Sequence, residues 1–164
     1  MFAGYTEKAR RAVFLARQEA VQSGASQIEA EDLLIGLLRE NRDLLPQVLV
    51  SGVDSLRAEI KGRVPRLESV PQVVTMPLSA KTKKVLANAV DESGALGHER
   101  ISASHLMLSL LREPAPFVVG VFQRYNLDFE EQRARLRFYV EPSSVQDFTF
   151  LRAITGVVRR VLHR

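Results

Sequence analysis

Histidines and carboxylates are the side chains that could carry chemistry in this chain, because the sequence contains no cysteine. His98 and His105 are seven residues apart, a spacing that can bring two side chains to one side of a helix. A protein metal site needs three or four such ligands, and no further ligand converges on this pair in the sequence. We therefore interpret both histidines as capping or packing residues, and we predict neither a metal site nor a cofactor.

Two pairs of adjacent carboxylates, Glu31-Asp32 and Glu130-Glu131, fall on predicted helices. Neighbouring helical residues point apart, so each pair fits a helix cap or a solvated face better than an acid–base dyad. The sequence also lacks a phosphate-binding loop, a dinucleotide fingerprint and a G-x-S-x-G nucleophile elbow. These patterns predict that the protein is not an enzyme.

The chain contains an internal repeat, which appears when the sequence is shifted by 73 residues. The matched pairs include Thr6 with Ser79, Ala16 with Ala89, Ile28 with Ile101, Leu33 with Leu106, and the stretch 37–40 with 110–113. The ungapped match extends over about four dozen residues, a length that chance rarely produces.

Each copy of the repeat has the pattern of four short helices. In the first copy, Thr6 is a good N-cap, apolar residues then recur at helical spacing, and Gly24 can end the helix. We expect later helices over about 30–39, 44–51 and 55–62, the last capped by Asp54. In the second copy we expect four helices with starts at Ser79, Ser102, Pro116 and Asp128, the last of them ending near Tyr139.

The predicted fold is all-α, with two four-helix repeats related by a pseudo-twofold axis and an added C-terminal amphipathic helix. We place the first repeat at 1–63, a linker at 64–78, the second repeat at 79–140, and a hinge with the basic helix at 141–164. The linker contains Pro65, Pro71 and Pro77, which favour an extended chain.

The segment after Pro142 has one apolar helical face and several arginines that lie mostly off it. The apolar residues are Phe148, Leu151, Ile154, Val158, Val161 and Leu162. Three interpretations stay open: the helix packs on its own repeats or on a second copy as a homodimer, it docks a partner, or it lies on an anionic membrane. We favour the first. The alternative function is that of a peripheral membrane or nucleic-acid-associated factor acting through this basic helix.

Composition narrows the class of protein further. The formal net charge is +4, and charged residues of both signs are mixed along most of the chain. A charge this modest supports solubility more than nucleic-acid binding. We find neither a signal-peptide pattern nor an apolar run of membrane-spanning length. We therefore expect a cytoplasmic protein, with neither nucleic acid nor membrane as its main partner.

The repeat carries a recognisable signature at two places. Residues 24–38 read GASQIEAEDLLIGLL and residues 97–111 read GHERISASHLMLSLL. Both resemble the Clp repeat of Clp-family N-terminal domains, whose pattern is close to G-H-x-x-I-x-x-E-H-[IL]-L-x-[GA]-L, and the resemblance covers about residues 2–140. It implies a domain that does no chemistry, sits ahead of AAA+ rings, and receives substrates and adaptor proteins. The implied partners are protein substrates or adaptors and an AAA+ Clp unfoldase or Clp protease.

The resemblance also suggests binding residues, because the ClpC-like branch of the family recognises phosphorylated arginine. It places one such pocket at Thr6 and Glu31 and a pseudo-symmetric copy at Ser79 and Ser104. Ser104 stands where the family has its second glutamate, and Asp32 stands where it has its first histidine. We therefore expect any charged ligand to use the Glu31 side alone. The simpler interpretation, that Thr6 and Glu31 only stabilise helix starts, stays open.

Overall fold

The computed structural model of the protein describes residues 2–63 and 76–141. Within these ranges the regular secondary structure is entirely helical, which confirms the all-α prediction. The helices are α1 (Glu7–Ser23), α2 (Ala30–Glu40), α3 (Gln47–Ser51), α4 (Val53–Arg63), α5 (Ala80–Ala95), α6 (Ala103–Arg112), α7 (Pro116–Arg124) and α8 (Phe129–Arg137). None of these helices is both long and apolar enough to cross a bilayer. The predicted C-terminal helix and most of the linker lie outside the described residues.

The first helix of each repeat begins where the sequence predicts. The Thr6 hydroxyl oxygen accepts a hydrogen bond from the Ala9 N–H (3.2 Å), and that of Ser79 accepts one from the Thr82 N–H (3.1 Å). Gly24 ends α1 with a φ of 77°, a left-handed conformation that glycine adopts without steric cost. The N-caps and the helical spacing of apolar residues therefore predict the observed starts of α1 and α5.

Three predicted boundaries are wrong by a few residues. Helix α3 begins at Gln47 rather than near Leu44, because the residue before Pro46 is disfavoured in helical conformation. Asp54 lies in the first turn of α4 instead of capping it, since the chain turns directly from Gly52 into that helix. Helix α8 ends at Arg137 rather than near Tyr139.

The two repeats are joined by a symmetric pair of short parallel bridges. Tyr5 pairs with Ile101, and Ile28 pairs with Leu78. Residues 5 and 78 differ by 73 positions, as do 28 and 101, so each bridge is the repeat-shifted copy of the other. The first bridge places the segment before α1 beside the segment before α6. The second places the segment before α5 beside the segment before α2.

The contact between the first two helices of each repeat differs between the copies. Helices α1 and α2 approach so closely that a Cβ atom on Gly36 would lie 2.2 Å from the Ala12 carbonyl oxygen. The equivalent residues in the second repeat are Ser109 and Val85, and there the Ser109 hydroxyl donates to the Val85 carbonyl oxygen (2.6 Å). A hydrogen-bonded side chain thus replaces a backbone contact at the same position of the fold.

Candidate functional site

The bridges create two equivalent junctions where helix N-termini meet. At the α1/α6 junction, Thr6 donates its N–H to the Ile101 carbonyl oxygen (2.9 Å), just before α6 begins. At the α2/α5 junction, Ser79 donates its N–H to the Ile28 carbonyl oxygen (3.0 Å), just before α2 begins. Helix N-termini carry unpaired N–H groups and a partial positive charge, so each junction is a candidate binding site for polar groups.

This arrangement corrects the predicted pairing of site residues. Thr6 caps the start of α1, whereas Glu31 follows the end of that helix, which at 17 residues is about 25 Å long. Thr6 therefore shares a junction with Ser104, and Ser79 shares one with Glu31. The prediction grouped residues by repeat, but the fold pairs the helix starts across the repeats.

At the α2/α5 junction, the backbone before α2 is fully engaged by the second repeat. The Thr82 hydroxyl donates to the Ile28 carbonyl oxygen (2.9 Å), and the Ile28 N–H donates to the Pro77 carbonyl oxygen (2.8 Å). The buried Ser79 hydroxyl also lies 3.0 Å from that of Thr82. These bonds fix the start of α2 against the start of α5.

The start of α2 carries three carboxylates. Asp32 accepts a hydrogen bond from the Glu29 N–H (2.8 Å), and Glu29 accepts one from the Gln27 side-chain amide (2.6 Å). Glu31 is half-buried and has no hydrogen-bond or ion-pair partner in the described part of the chain. The junction therefore offers the free carboxylate of Glu31 next to the hydrogen-bonded carboxylate of Asp32.

Asp32 is the most unusual member of this group. It is only 1% exposed, and its Oδ1 has no partner among the described residues. Burial raises the pKa of Asp32 to about 7, and the nearby carboxylates of Glu31, Glu29 and Glu19 raise it further against the bond from the Glu29 N–H. Near neutral pH this carboxyl group changes between its neutral and charged forms, so the charge of the junction depends on pH.

At the α1/α6 junction, the residue equivalent to Asp32 is His105, which is fully buried. Its Nδ1 accepts a hydrogen bond from the Ser102 N–H (2.8 Å), so the ring proton is on Nε2, 2.8 Å from Nδ1 of His98. Burial and then the neighbouring His98 lower the pKa of His105 to about 4. His105 thus serves in capping and packing, as predicted, whereas His98 is exposed and lies against the His105 ring. The described residues contain no group of three or more metal-ligand side chains placed to hold a metal ion.

The other polar groups of this junction are already paired. The buried Ser104 hydroxyl lies 2.7 Å from that of Ser102, and Arg100 donates to the Tyr5 carbonyl oxygen (3.0 Å). Glu141 accepts a hydrogen bond from the Ala103 N–H (3.1 Å), so the chain's own carboxylate occupies the N-terminus of α6. Glu141 was not among the predicted site residues, since nothing in the sequence relates position 141 to the start of α6.

The two junctions therefore differ in what they can bind. The α2/α5 junction has an unpaired carboxylate at Glu31 and suits a cationic group such as a guanidinium. The α1/α6 junction has no equivalent carboxylate, because Ser104 replaces it, and its helix N-terminus is already occupied by Glu141.

Comparisons with family models and with curated proteins indicate the same family. The family model described as the Clp repeat (R) N-terminal domain matches residues 4–137. The ClpA homolog of Guillardia theta, an ATP-dependent Clp protease ATP-binding subunit, is 32% identical over 139 residues, which cover 83% of this chain. The ClpC/MecB protein of Bacillus subtilis, a negative regulator of genetic competence, is 27% identical over the same length. The matched part is only 17% of each of these relatives.

Solved structures agree with the family model. The N-terminal domain of the caseinolytic protease associated chaperone ClpD from Arabidopsis thaliana is 27% identical, with a TM-score of 0.68. The similarity covers 83% of this chain and 94% of that domain. The N-domain of ClpV from Vibrio cholerae shares the fold, with a TM-score of 0.61 at 18% identity over 82% of this chain and 86% of that one. The chain belongs to the Clp repeat N-terminal domain family.

Proposed function

We propose that this chain is a non-catalytic docking domain of the Clp protease and chaperone system, which binds substrate or adaptor proteins for an AAA+ Clp unfoldase. The observation that carries the proposal is the family match over residues 4–137, which includes both repeats. Relatives named as Clp protease ATP-binding subunits contain a matching segment as a small part of their length. The matched segment of this chain contributes binding to such a machine, and ATP hydrolysis belongs to other parts of it.

Within this role, we assign recognition of a cationic side chain to the α2/α5 junction. Glu31 has no partner among the described residues and lies in the first turn of α2, beside the capped start of α5. A guanidinium and a carboxylate form a charge-assisted pair with two parallel hydrogen bonds, so arginine fits this position better than lysine. The neighbouring Asp32 and Glu29 strengthen the local attraction for a cation and oppose an added phosphate.

The test is a fluorescence anisotropy titration of the full chain with a labelled arginine-rich peptide. We expect one class of site, weakened about tenfold or more in Glu31→Ala, because the loss of a charge-assisted pair removes more than 1 kcal/mol. Ser104→Ala is the matched control, since it changes the equivalent position of the other junction, and its affinity should equal that of the unchanged protein.

Two results would contradict this assignment. If Ser104→Ala lost the binding and Glu31→Ala kept it, the functional junction would be the α1/α6 one. If a phosphoarginine-containing peptide bound better than its unmodified arginine counterpart, the carboxylate cluster would not be the group that selects the ligand.

A further inference from the structure

Asp32 lacks the side-chain partner that its counterpart in the second repeat has. That counterpart is His105, 73 positions on, whose Nε2 lies 2.8 Å from Nδ1 of His98. The residue equivalent to His98 is Ala25, which is buried and offers no polar side-chain atom. Asp32 is only 1% exposed, and its Oδ1 has no hydrogen-bond partner among the described residues. The α2/α5 junction therefore contains a buried carboxyl group that is hydrogen-bonded at Oδ2 but not at Oδ1.

The surroundings of Asp32 oppose its negative charge. Burial raises the pKa of Asp32 to about 7, and the carboxylates of Glu31, Glu29 and Glu19 add to the rise against the bond from the Glu29 N–H. The start of α5 contributes uncharged hydroxyl groups to the junction. Basic side chains on the helices packed against α2 pair with carboxylates other than that of Asp32; these are Arg57 of α4, Lys84 of α5, Arg112 of α6 and Arg124 of α7. A cation that enters the junction therefore meets a carboxyl group without a basic partner in the described part of the chain.

The charges of Glu31 and Asp32 are linked. The negative charge of Glu31 raises the pKa of Asp32, so the two carboxylates repel each other although they are neighbours on one helix. A guanidinium paired with Glu31 cancels this repulsion and favours the ionised form of Asp32. Coupling between two binding events is reciprocal, so the ionised form of Asp32 holds the guanidinium more tightly by the same factor.

We infer that Asp32 couples the binding of an arginine side chain at the α2/α5 junction to the release of a proton, so that the site binds its cationic partner more tightly as the pH rises through neutrality. The inference rests on the proposed recognition of arginine at this junction and describes how that recognition is regulated. The proton leaves the carboxyl group of Asp32 for the solvent. The α1/α6 junction does not respond in this way, because burial holds the equivalent His105 in its neutral form at neutral pH.

The test is isothermal titration calorimetry of the full chain with an acetylated and amidated ten-residue peptide of alternating arginine and glycine. The pH is varied from 5.5 to 8.5 at constant ionic strength, a range in which no group of the peptide titrates. We expect the Kd to fall about fivefold as the pH rises, because the added negative charge acts over a short, partly solvated distance. Titrations near pH 7 in two buffers of different ionisation enthalpy should show the release of about 0.4 proton per bound peptide, the maximum that a fivefold coupling allows.

Asp32→Asn is the decisive variant, because asparagine has nearly the same shape and cannot ionise. Its Kd should stay constant across the pH range, at the value that the unchanged protein has at pH 5.5, and the proton release should disappear. His98→Gln is the matched control, since it removes an exposed imidazole beside the other junction and should keep the full pH dependence. The pH profile and the proton release of the unchanged protein test the inference even if a variant does not fold.

The inference is overturned if the Kd of the unchanged protein is the same at pH 5.5 and pH 8.5, if Asp32→Asn keeps the pH dependence, or if His98→Gln removes it. The proposed function and its regulation can fail separately. Binding that is lost in Glu31→Ala but does not change with pH contradicts the role of Asp32 alone. A peptide that binds at no pH, or that binds Glu31→Ala as tightly as the unchanged protein, contradicts the recognition of arginine at this junction and the inference with it.

Discussion

Asp32 and His105 perform the same structural task in the two repeats. Each accepts a hydrogen bond from the N–H of the residue that caps its helix, Glu29 and Ser102 respectively. Burial favours the neutral form of both side chains. The neutral carboxyl group is protonated and the neutral imidazole is deprotonated, so burial raises the pKa of Asp32 and lowers that of His105. A rise in pH therefore lowers the contribution of Asp32 to stability and increases that of His105.

We predict that Asp32→Asn stabilises the protein above neutral pH. The pKa of Asp32 rises from 3.8 in the unfolded chain to about 7 in the fold, so its contribution to stability is fully present below pH 4 and is lost as the pH rises through 7. Asparagine keeps a hydrogen-bond acceptor and cannot ionise. Chemical denaturation should show the variant more stable by roughly 4 kcal/mol at pH 8 and by only about 1 kcal/mol at pH 4.5, because each unit of pKa shift corresponds to about 1.4 kcal/mol. An equal difference at both pH values would contradict the titration of Asp32.

His105 gives the complementary dependence. The pKa of His105 falls from 6.5 in the unfolded chain to about 4 in the fold, so its contribution to stability is present above pH 6.5 and is lost as the pH falls towards 4. In His105→Gln, the loss of stability between pH 7 and pH 4.5 should be smaller than in the unchanged protein. A loss just as steep in the variant would assign the acid sensitivity to other groups.

At the scale of the helices, the close contact of α1 and α2 depends on Gly36. A Cβ atom there would meet backbone atoms, at 2.2 Å from the Ala12 carbonyl oxygen and 2.8 Å from the Ala16 nitrogen, so the helices would have to separate. We predict that Gly36→Ala lowers the free energy of unfolding by about 3 kcal/mol. Ser109→Ala is the matched control, because it only removes one hydrogen bond and should cost about 1 kcal/mol. Thermal denaturation of both variants measures the difference, and equal effects would contradict this account.

The helices themselves could be predicted well from the sequence, and the reasons are local. Thr6, Ser79 and Asp128 are good N-caps in front of helically spaced apolar residues, and all three accept the expected bond from the residue three positions on. The misplaced start of α3 and the role of Asp54 come from tight connections, where Pro46 and Gly52 determine the path of the chain. The start of α3 follows from the local restriction before Pro46, whereas the position of Asp54 depends on the tight turn at Gly52.

At the scale of the whole molecule, the repeat itself was predictable from the 73-residue match, but the pairing of its copies was not. Self-similarity shows that two units are alike without showing which ends meet, so it could not correct the pocket that the resemblance implied at Thr6 and Glu31, where the fold pairs Thr6 with Ser104. The contacts of Glu141 with Ala103 and of Tyr139 with Asp43 are likewise long-range, and no sequence motif marks them. The domain boundaries, the cytoplasmic location and the homodimer through residues 141–164 stay predictions.

The interlocked repeats should fold only together. Each repeat supplies one half of both bridges, and Arg124 of α7 donates two hydrogen bonds to Glu59 of α4 across the repeats (2.8 and 3.2 Å). A fragment of residues 1–63 would expose the apolar faces that the second repeat covers, and a chain of that size has little core to compensate. We predict that this fragment shows little helical circular dichroism in buffer. A cooperative thermal transition of the isolated fragment would show that the repeats are independent domains.

We propose that this domain acts by binding protein segments at defined surfaces, with a cationic side chain recognised at the α2/α5 junction. The most direct measurement is a ¹H–¹⁵N correlation titration of the full chain with the arginine-rich peptide. We expect the largest shifts to cluster on the amides of residues 29–32 and 79–82, and the amide signals of residues 102–105 to stay in place. Shifts concentrated at residues 102–105, or no saturable shifts in the described part of the chain, would contradict it.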